Sequence, residues 1–274
     1  MNSRLGVYVI NLDRAPERRV FMEAQTAKTG LEAIFVSAID AKAAGFTPRG
    51  GHTVVRDDVL IETNWDGRIY VLGEEACFQS HLKALRLFLD SPHEVGLVFE
   101  DDAELAPDFA AALEAILGLR RLWDVVKLEG TRNRGARPAL RVAEAGPYRL
   151  VASLNPASGA AAYLVSRRAA ERLVAQAEGV FEPFDNYLSA HWRHGLKVLD
   201  CSPFPARQGL PVSTRKEKRG PSPRQAGERF TAWRRHLAAD FFRRYVLRWF
   251  SQRRRFAGHT HGLTLAPWSR DWAA

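Results

Sequence analysis

The chain has 274 residues, 46% hydrophobic and 26% charged, which supports one large core or two small ones and excludes a mini-protein or a wholly disordered chain. Two cysteines, Cys77 and Cys201, exclude a disulfide framework or a four-thiolate zinc site and suit a reducing compartment. The net charge of +9 is uneven: from Arg207 to Phe256 fifteen Lys and Arg face three acids, a balance of +12 that leaves the rest at −3, as for a folded unit carrying an element that meets an anionic surface.

Leu5-Gly6-Val7-Tyr8-Val9-Ile10 is an apolar run without alternation, predicting a strand buried on both faces. Asp13 and Pro16 suit the start of a helix that stops at Gly30. Ile34-Phe35-Val36 reads as a second strand, residues 43–67 as a loop and Ile69-Tyr70-Val71-Leu72 as a short strand. The acidic pair Glu74-Glu75 then opens a helix with apolar residues at Phe78, Leu82, Leu85 and Leu89, ended by Pro92. Val95 to Phe99 form a compact strand, followed by a helix through Phe109, Leu113 and Ile116, and by a strand at Val125-Val126. Ala160 to Val165 is strand-like, Ser166 suits the cap of a helix from Arg167, and a further helix spans 184–194 before a strand at 197–199.

Such alternation predicts an α/β domain with a mostly parallel central sheet, helices on both faces and a ligand crevice at the carboxyl ends of its strands. Neither a glycine-rich dinucleotide fingerprint nor a Gly-Lys-Ser/Thr phosphate loop is present, which argues against dehydrogenases and P-loop kinases.

Glu100-Asp101-Asp102 closes the strand that ends at Phe99. Clustered carboxylates at the end of a buried strand repel one another, and a divalent ion such as Mg²⁺ or Mn²⁺ would compensate them and bridge to a diphosphate. Taken alone, the triplet fits a solvated acidic turn as well. Cys77 and His81 are four apart and share a helix face with Ser80 beside them. That spacing suits a metal pair or a nucleophile with its base, but a buried Cys is more often a small hydrophobe, leaving His81 as a hydrogen-bonding residue near nucleotide or acceptor. Asn11, Arg14 and Arg18 follow the first strand; Arg14 and Arg18, one turn apart, suit a phosphate or ribose, or else a solvated basic face.

Together these blocks resemble glycosyltransferase family 25, the lipooligosaccharide glycosyltransferases. They are Val7-Tyr8-Val9-Ile10-Asn11-Leu12-Asp13-Arg14 with Arg18-Arg19, Gly73-Glu74 with Cys77 and Ser80-His81-Leu82, Val98-Phe99-Glu100-Asp101-Asp102-Ala103, Ser158-Gly159 to Ser166, and Phe184-Asp185. The resemblance covers roughly residues 5 to 203. It implies a glycosyltransferase A-type-like fold, a UDP-sugar donor such as UDP-galactose or UDP-glucose, and inverting transfer of a hexose to a hydroxyl of a lipooligosaccharide or other envelope glycan. It also implies that Asp102 and Glu100 hold Mn²⁺ or Mg²⁺, with Asp101 nearer the donor ribose. Asn11, Arg14, Arg18 and Ser80 are the further donor-binding candidates. Asp185 is the candidate catalytic base, with His81 as a second catalytic candidate. Ala76 stands where the family pattern suggests glycine, and Thr131 to Leu150 match nothing in it.

These readings divide the chain into a catalytic domain (1–205), a basic linker (206–227) and a C-terminal basic amphipathic helix and tail (228–274). In the last, Phe230, Trp233, Leu237, Phe241, Tyr245 and Trp249 recur at helical spacing among arginines. Such a helix suits an anionic membrane surface or packing on the catalytic domain. With no signal-peptide-like opening and no stretch near the roughly 18 apolar residues of a membrane span, the expected location is cytoplasmic, peripheral at the inner face of the membrane, with no nucleic acid partner. The competing readings are a catalytically inactive polyanion- or nucleic-acid-binding protein and a nucleotidyltransferase.

Overall fold

The computed structural model describes residues 4–49, 71–130, 137–153, 157–180, 182–209, 248–258 and 263–266. In chain order they form β1 (Leu5–Asn11), α1 (Pro16–Thr29), β2 (Ile34–Ser37), α2 (Leu72–Leu89), β3 (Val95–Glu100), β4 (Ala103–Leu105), α3 (Phe109–Gly118) and β5 (Val125–Lys127). There follow β6 (Arg137–Ala145), β7 (Tyr148–Ser153), β8 (Ala162–Ser166), α4 (Arg167–Ala175), α5 (Phe184–Ser189), α6 (His191–His194), β9 (Val198–Ser202), β10 (Ala206–Gln208), α7 (Arg248–Arg255) and β11 (Leu263–Ala266).

Nine strands make one sheet in the order β11-β6-β7-β9-β5-β8-β3-β1-β2, and β4 pairs with β10 beside it. The sheet is mixed rather than mostly parallel. Pairings β1 with β2, β1 with β3 and β5 with β9 are parallel, whereas the other five are antiparallel. The physical reason is β8, which lies antiparallel between β3 and β5. An antiparallel strand inserted between parallel ones breaks the run of parallel pairs on both of its sides. Because β8 opposes both neighbours, β3 and β5 point the same way, and the carboxyl ends of β1, β3, β5 and β9 share one edge.

Each central strand is buried on both faces, and alternate residues feed two cores. Val7, Val9, Leu97 and Phe99 face Met22 of α1 and Phe109, Leu113 and Ile116 of α3. Tyr8, Ile10 and Val98 face Phe78, Leu82, Leu85 and Phe88 of α2 together with Leu173 of α4. Helices thus cover both faces, as expected. Gly30 ends α1 in the left-handed region at φ 70°, and the Ser166 side chain caps α4 by accepting from Ala169 N at 3.0 Å.

Several local expectations change. Asp13 does not cap α1; its carboxylate accepts from Ser37 Oγ at 2.5 Å and the N-cap is Ala15. Val71 and Leu72 open α2 instead of ending a strand, while residues 69–70 lie outside the described residues. The helix expected over 184–194 breaks into α5 and α6 at Ala190. Residues 137–150, which match nothing in the family pattern, belong to the β6–β7 hairpin, turning at Gly146 with φ 62°.

The chain beyond 205 is not a separate tail where it is described. β10 pairs with β4 and β11 with the edge strand β6. In α7, Gln252 is buried, as is Phe256 just past its end, and Phe256 joins the core beneath α3. Arg255 donates to the Leu196 carbonyl at 3.1 Å. Residues 210–247, including most of the expected amphipathic helix, lie outside the described residues. Among the described residues no helix is long and apolar enough to cross a membrane.

Phe88 anchors α2 to the sheet. It is fully buried, its ring lies 5.9 Å from that of Tyr8, and it stands 3.2 Å from where a Cβ on Gly96 would sit. Phe88→Ala is expected to lower stability by about 3–5 kcal/mol through lost burial and a residual cavity; urea denaturation measures this, and a loss under about 1 kcal/mol would contradict the packing.

Candidate active site

The shared carboxyl edge carries an acidic cluster. β3 ends at Glu100, the chain turns through Asp101 and Asp102 into β4, and the segment after β5 supplies Glu129. The turn is fixed by the backbone on both sides: Glu100 N donates to Ala161 O at 2.9 Å, and Gly209 N donates to Asp102 O at 2.8 Å. The short β4–β10 ladder and the pairing of Arg207 with Glu104 at 2.7 Å hold its far side.

The three residues of the triplet have different surroundings. Asp101 is buried and ion-paired with Arg18, and its other oxygen accepts from Asn11 Nδ2 at 2.9 Å. Burial lifts its carboxyl above the ordinary value even with the Arg18 guanidinium and Asn11 opposing that rise. Asp102 Oδ2 is 3.3 Å from the other Arg18 nitrogen, while Oδ1 is buried without a hydrogen-bond partner among the described residues. Burial, then the neighbouring Glu100 charge, push Asp102 up to about 7. Glu100 Oε1 lies 3.3 Å from His81 Nε2.

Glu129 was not anticipated from sequence, and it completes the cluster. It is almost wholly buried, and its Oε2 accepts from Ala161 N at 3.1 Å. Burial raises its carboxyl to about 8, with Lys127 opposing and Glu100 and Asp102 adding to the rise. Lys127 is also fully buried, donating to the Ala157 carbonyl and to Ser189 Oγ. Gly159 permits the close approach of Glu129: its φ is +105°, and a Cβ there would stand 2.5 Å from Glu129 Oε2.

Asp185, at the start of α5, comes to the same place from the other side. Its Oδ2 accepts from Gly159 N at 2.8 Å and its Oδ1 from Asn186 N at 2.9 Å, so Gly159 stands between Asp185 and Glu129. His81 is fully buried and stacked on Phe184 at 4.1 Å and 2°, with Nδ1 3.2 Å from Tyr163 Oη. Asn11, Arg18, His81, Glu100, Asp101, Asp102 and Asp185 are thus linked to one edge. Two candidates have partners elsewhere. Arg14 pairs with Asp40 at 2.5 Å and is nearly half exposed, and Ser80 Oγ accepts from Ile39 N at 2.8 Å and donates to the Ala76 carbonyl at 2.7 Å.

The residues present fit a divalent cation. Glu100, Asp102 and Glu129 provide hard oxygen donors, two of them with raised proton affinity, and Asp102 Oδ1 is a buried acceptor without a donor, the condition a cation relieves. In Asp102 and Glu129 the folded pKa lies above the ordinary carboxylate value, so their contribution to stability is complete in acid and is lost as pH rises through about 7 and about 8. In chelator, the melting temperature is therefore expected to fall between about pH 5 and about pH 8. Mn²⁺ should raise it more at the upper pH than at the lower. Glu129→Gln should flatten the upper part of the slope, and an Mn²⁺ shift independent of pH would contradict the assignment.

With the site in view, comparison with known proteins places the chain. The sequence pattern described as Glycosyltransferase family 25 (LPS biosynthesis protein) matches residues 5–188, which contain the whole acidic cluster. A "Glycosyltransferase 25 family member" of Drosophila melanogaster is 32% identical over 115 residues, covering 42% of this chain and 19% of that protein. One of Aedes aegypti is 29% identical over 133 residues, covering 44% and 20%. The chain thus matches about a fifth of the length of these relatives. The crystal structure of A197 from STIV aligns over 79% of this chain and 100% of that one, at 10% identity and a TM-score of 0.39, too distant a likeness to say more. By the extent of the family match, this chain belongs to glycosyltransferase family 25.

Proposed function

We propose that the protein transfers a hexose, galactose or glucose, from a UDP-sugar to a hydroxyl of a lipooligosaccharide or other envelope glycan, with inversion, on a glycosyltransferase A-type-like scaffold. The observation that carries this reading is the carboxylate cluster of partly buried Glu100 and Asp102 and fully buried Glu129 on one sheet edge, with Asp102 Oδ1 unpartnered among the described residues. A binding module has no need to accumulate such repulsion inside a fold.

In this reading Asp102 and Glu100 hold Mn²⁺ or Mg²⁺. When bound, the ion neutralises charge on the departing diphosphate. Arg18 and Asn11 fix the direction of Asp101 and Asp102, so that the donor meets a preset surface and little reorganisation remains for the transfer step. Asp101 faces the donor ribose, while Arg14 and Ser80 act on the donor from the margin. The acceptor oxygen attacks the anomeric carbon opposite UDP, the bond to the phosphate oxygen breaks with its electron pair leaving on UDP, and Asp185 takes the acceptor proton. His81, stacked on Phe184, ties the helix that starts the Asp185 segment to the carboxylates.

Attachment to an anionic membrane is assigned to the basic, aromatic residues of 228–256, because attraction of roughly 1 kcal/mol per basic side chain near the surface adds to aromatic insertion. The location that follows is cytoplasmic, peripheral at the inner face of the membrane.

A panel of sugar nucleotides tested with and without Mn²⁺ checks the donor and the ion: free UDP is expected, and released pyrophosphate would instead mark nucleotidyl transfer. Asp102→Asn should abolish Mn²⁺-dependent donor binding. Asp185→Asn keeps an oxygen to accept from Gly159 N, and is expected to bind donor while transfer falls by about 10²–10⁴; near-normal turnover would remove Asp185 as the base. Co-sedimentation with anionic vesicles, compared with neutral ones, should depend on residues 228–247, and equal binding without them would remove the membrane assignment.

A further inference from the structure

We propose that Cys77, His81 and Glu100 form a second, thiophilic cation site that takes Zn²⁺ in preference to Mg²⁺ or Mn²⁺ and shares Glu100 with the oxygen-lined cluster. Cys77 and His81 are one turn apart on α2, so both side chains leave the same helix face. The parallel strands bring the end of β3 opposite that face. Cys77 Sγ, a His81 ring nitrogen and a Glu100 carboxylate oxygen all lie within 4.8 Å of one another. His81 Nε2 is 3.3 Å from Glu100 Oε1, about the N···O edge of a tetrahedron with zinc bonds of about 2.0–2.1 Å.

The surroundings are those of an oriented ligand. His81 is fully buried, its ring stacked on Phe184 and its Nδ1 placed against Tyr163 Oη at 3.2 Å. A partner on Nδ1 fixes the ring and leaves Nε2 directed at the carboxylate, the outer-shell arrangement common to metal-binding histidines. Donor chemistry selects the ion: one sulfur, one imidazole and one carboxylate suit Zn²⁺ or Co²⁺, whereas Mg²⁺ requires hard oxygens in octahedral array. Three protein ligands leave a fourth position open, and Cys77 is only partly buried, so the ion has a way in. Binding releases the Cys77 thiol proton to solvent as the sulfur–metal bond forms. Because Glu100 is shared, an ion here withdraws it from the oxygen cluster; that consequence rests on the reading of the cluster given above, but the site itself does not.

Titration of the metal-free full-length chain with Co²⁺ tests the site without reference to activity. One equivalent is expected to give a near-ultraviolet thiolate-to-cobalt band and the visible bands of four-coordinate Co²⁺. Stoichiometric Zn²⁺ should bleach both and excess Mg²⁺ should not. Cys77→Ser should lose the near-ultraviolet band and Cys201→Ser should keep it. In the unaltered chain, Zn²⁺ should protect Cys77 from alkylation, read by peptide mass, and Mg²⁺ should not. Absence of the band in the unaltered chain, its survival in Cys77→Ser, bleaching by Mg²⁺, or alkylation unaffected by Zn²⁺ would each overturn the proposal.

Discussion

Carboxylates brought together away from water raise one another's proton affinity, and each further one makes the next harder to ionise. On the carboxyl edge of this sheet Glu100, Asp102 and Glu129 stand in that relation, with Asp101 beside them. Arg18 is shared between Asp101 and Asp102, and Lys127 works against the rise at Glu129. These two cations divide the cluster unequally. Asp101 has both oxygens engaged, one by Arg18 and one by the Asn11 amide, so it acts as a fixed strut between α1 and the turn; Asp102 shares the guanidinium and keeps one buried oxygen with no donor among the described residues. A charge deficit concentrated on one oxygen is a local demand for a cation, which a diffuse surface acidity never makes.

The fold creates this demand through strand direction. Glu100 and Glu129 are remote in sequence and come together because β8 runs antiparallel between β3 and β5 and leaves their ends at the same edge. The stretch leading into β8 then does double duty. Ala161 accepts from Glu100 N through its carbonyl and donates to Glu129 through its own N–H. Gly159 needs both its positive φ and its missing Cβ to let Glu129 lie against it while its N–H reaches Asp185. The small residues from Gly159 to Ala162 thus serve as the floor on which the Glu129 and Asp185 side chains converge, and a larger side chain at 159 would separate them.

This distribution explains what could be read in the sequence. The compact apolar runs of β1 and β3, the helical spacing of α2 and the cap of α4 were legible because each is a local property, and so was the triplet at the end of β3. Glu129 was not, because a single acid after the short run Val125-Val126 carries no local mark; only the pairing of β5 with β8 gives it meaning. The same limit applies to strand direction. β8 is buried along its whole length, and a continuous apolar run says that a strand is central without saying which way it runs. Arg14 and Ser80 illustrate the converse: position near the crevice was legible, but Asp40 and the Ala76 carbonyl, which engage them, belong to tertiary structure.

The basic C-terminal segment shows how composition blends two physical roles. Its arginines suggested one continuous surface element, yet α7 turns Gln252 inward, and Phe256 beyond it enters the core beneath α3, while Phe250 stays exposed at 64%. Arg255 reaches the Leu196 carbonyl and the His191 ring, and burial, its largest perturbation, lowers its proton affinity. A guanidinium engaged in this way closes the seam between α6 and the strand that follows. Its charge serves internal packing, and only arginines that keep water contact offer theirs to the outside. Formal charge along a chain therefore overstates the charge offered to a partner, by as many side chains as the fold draws inward.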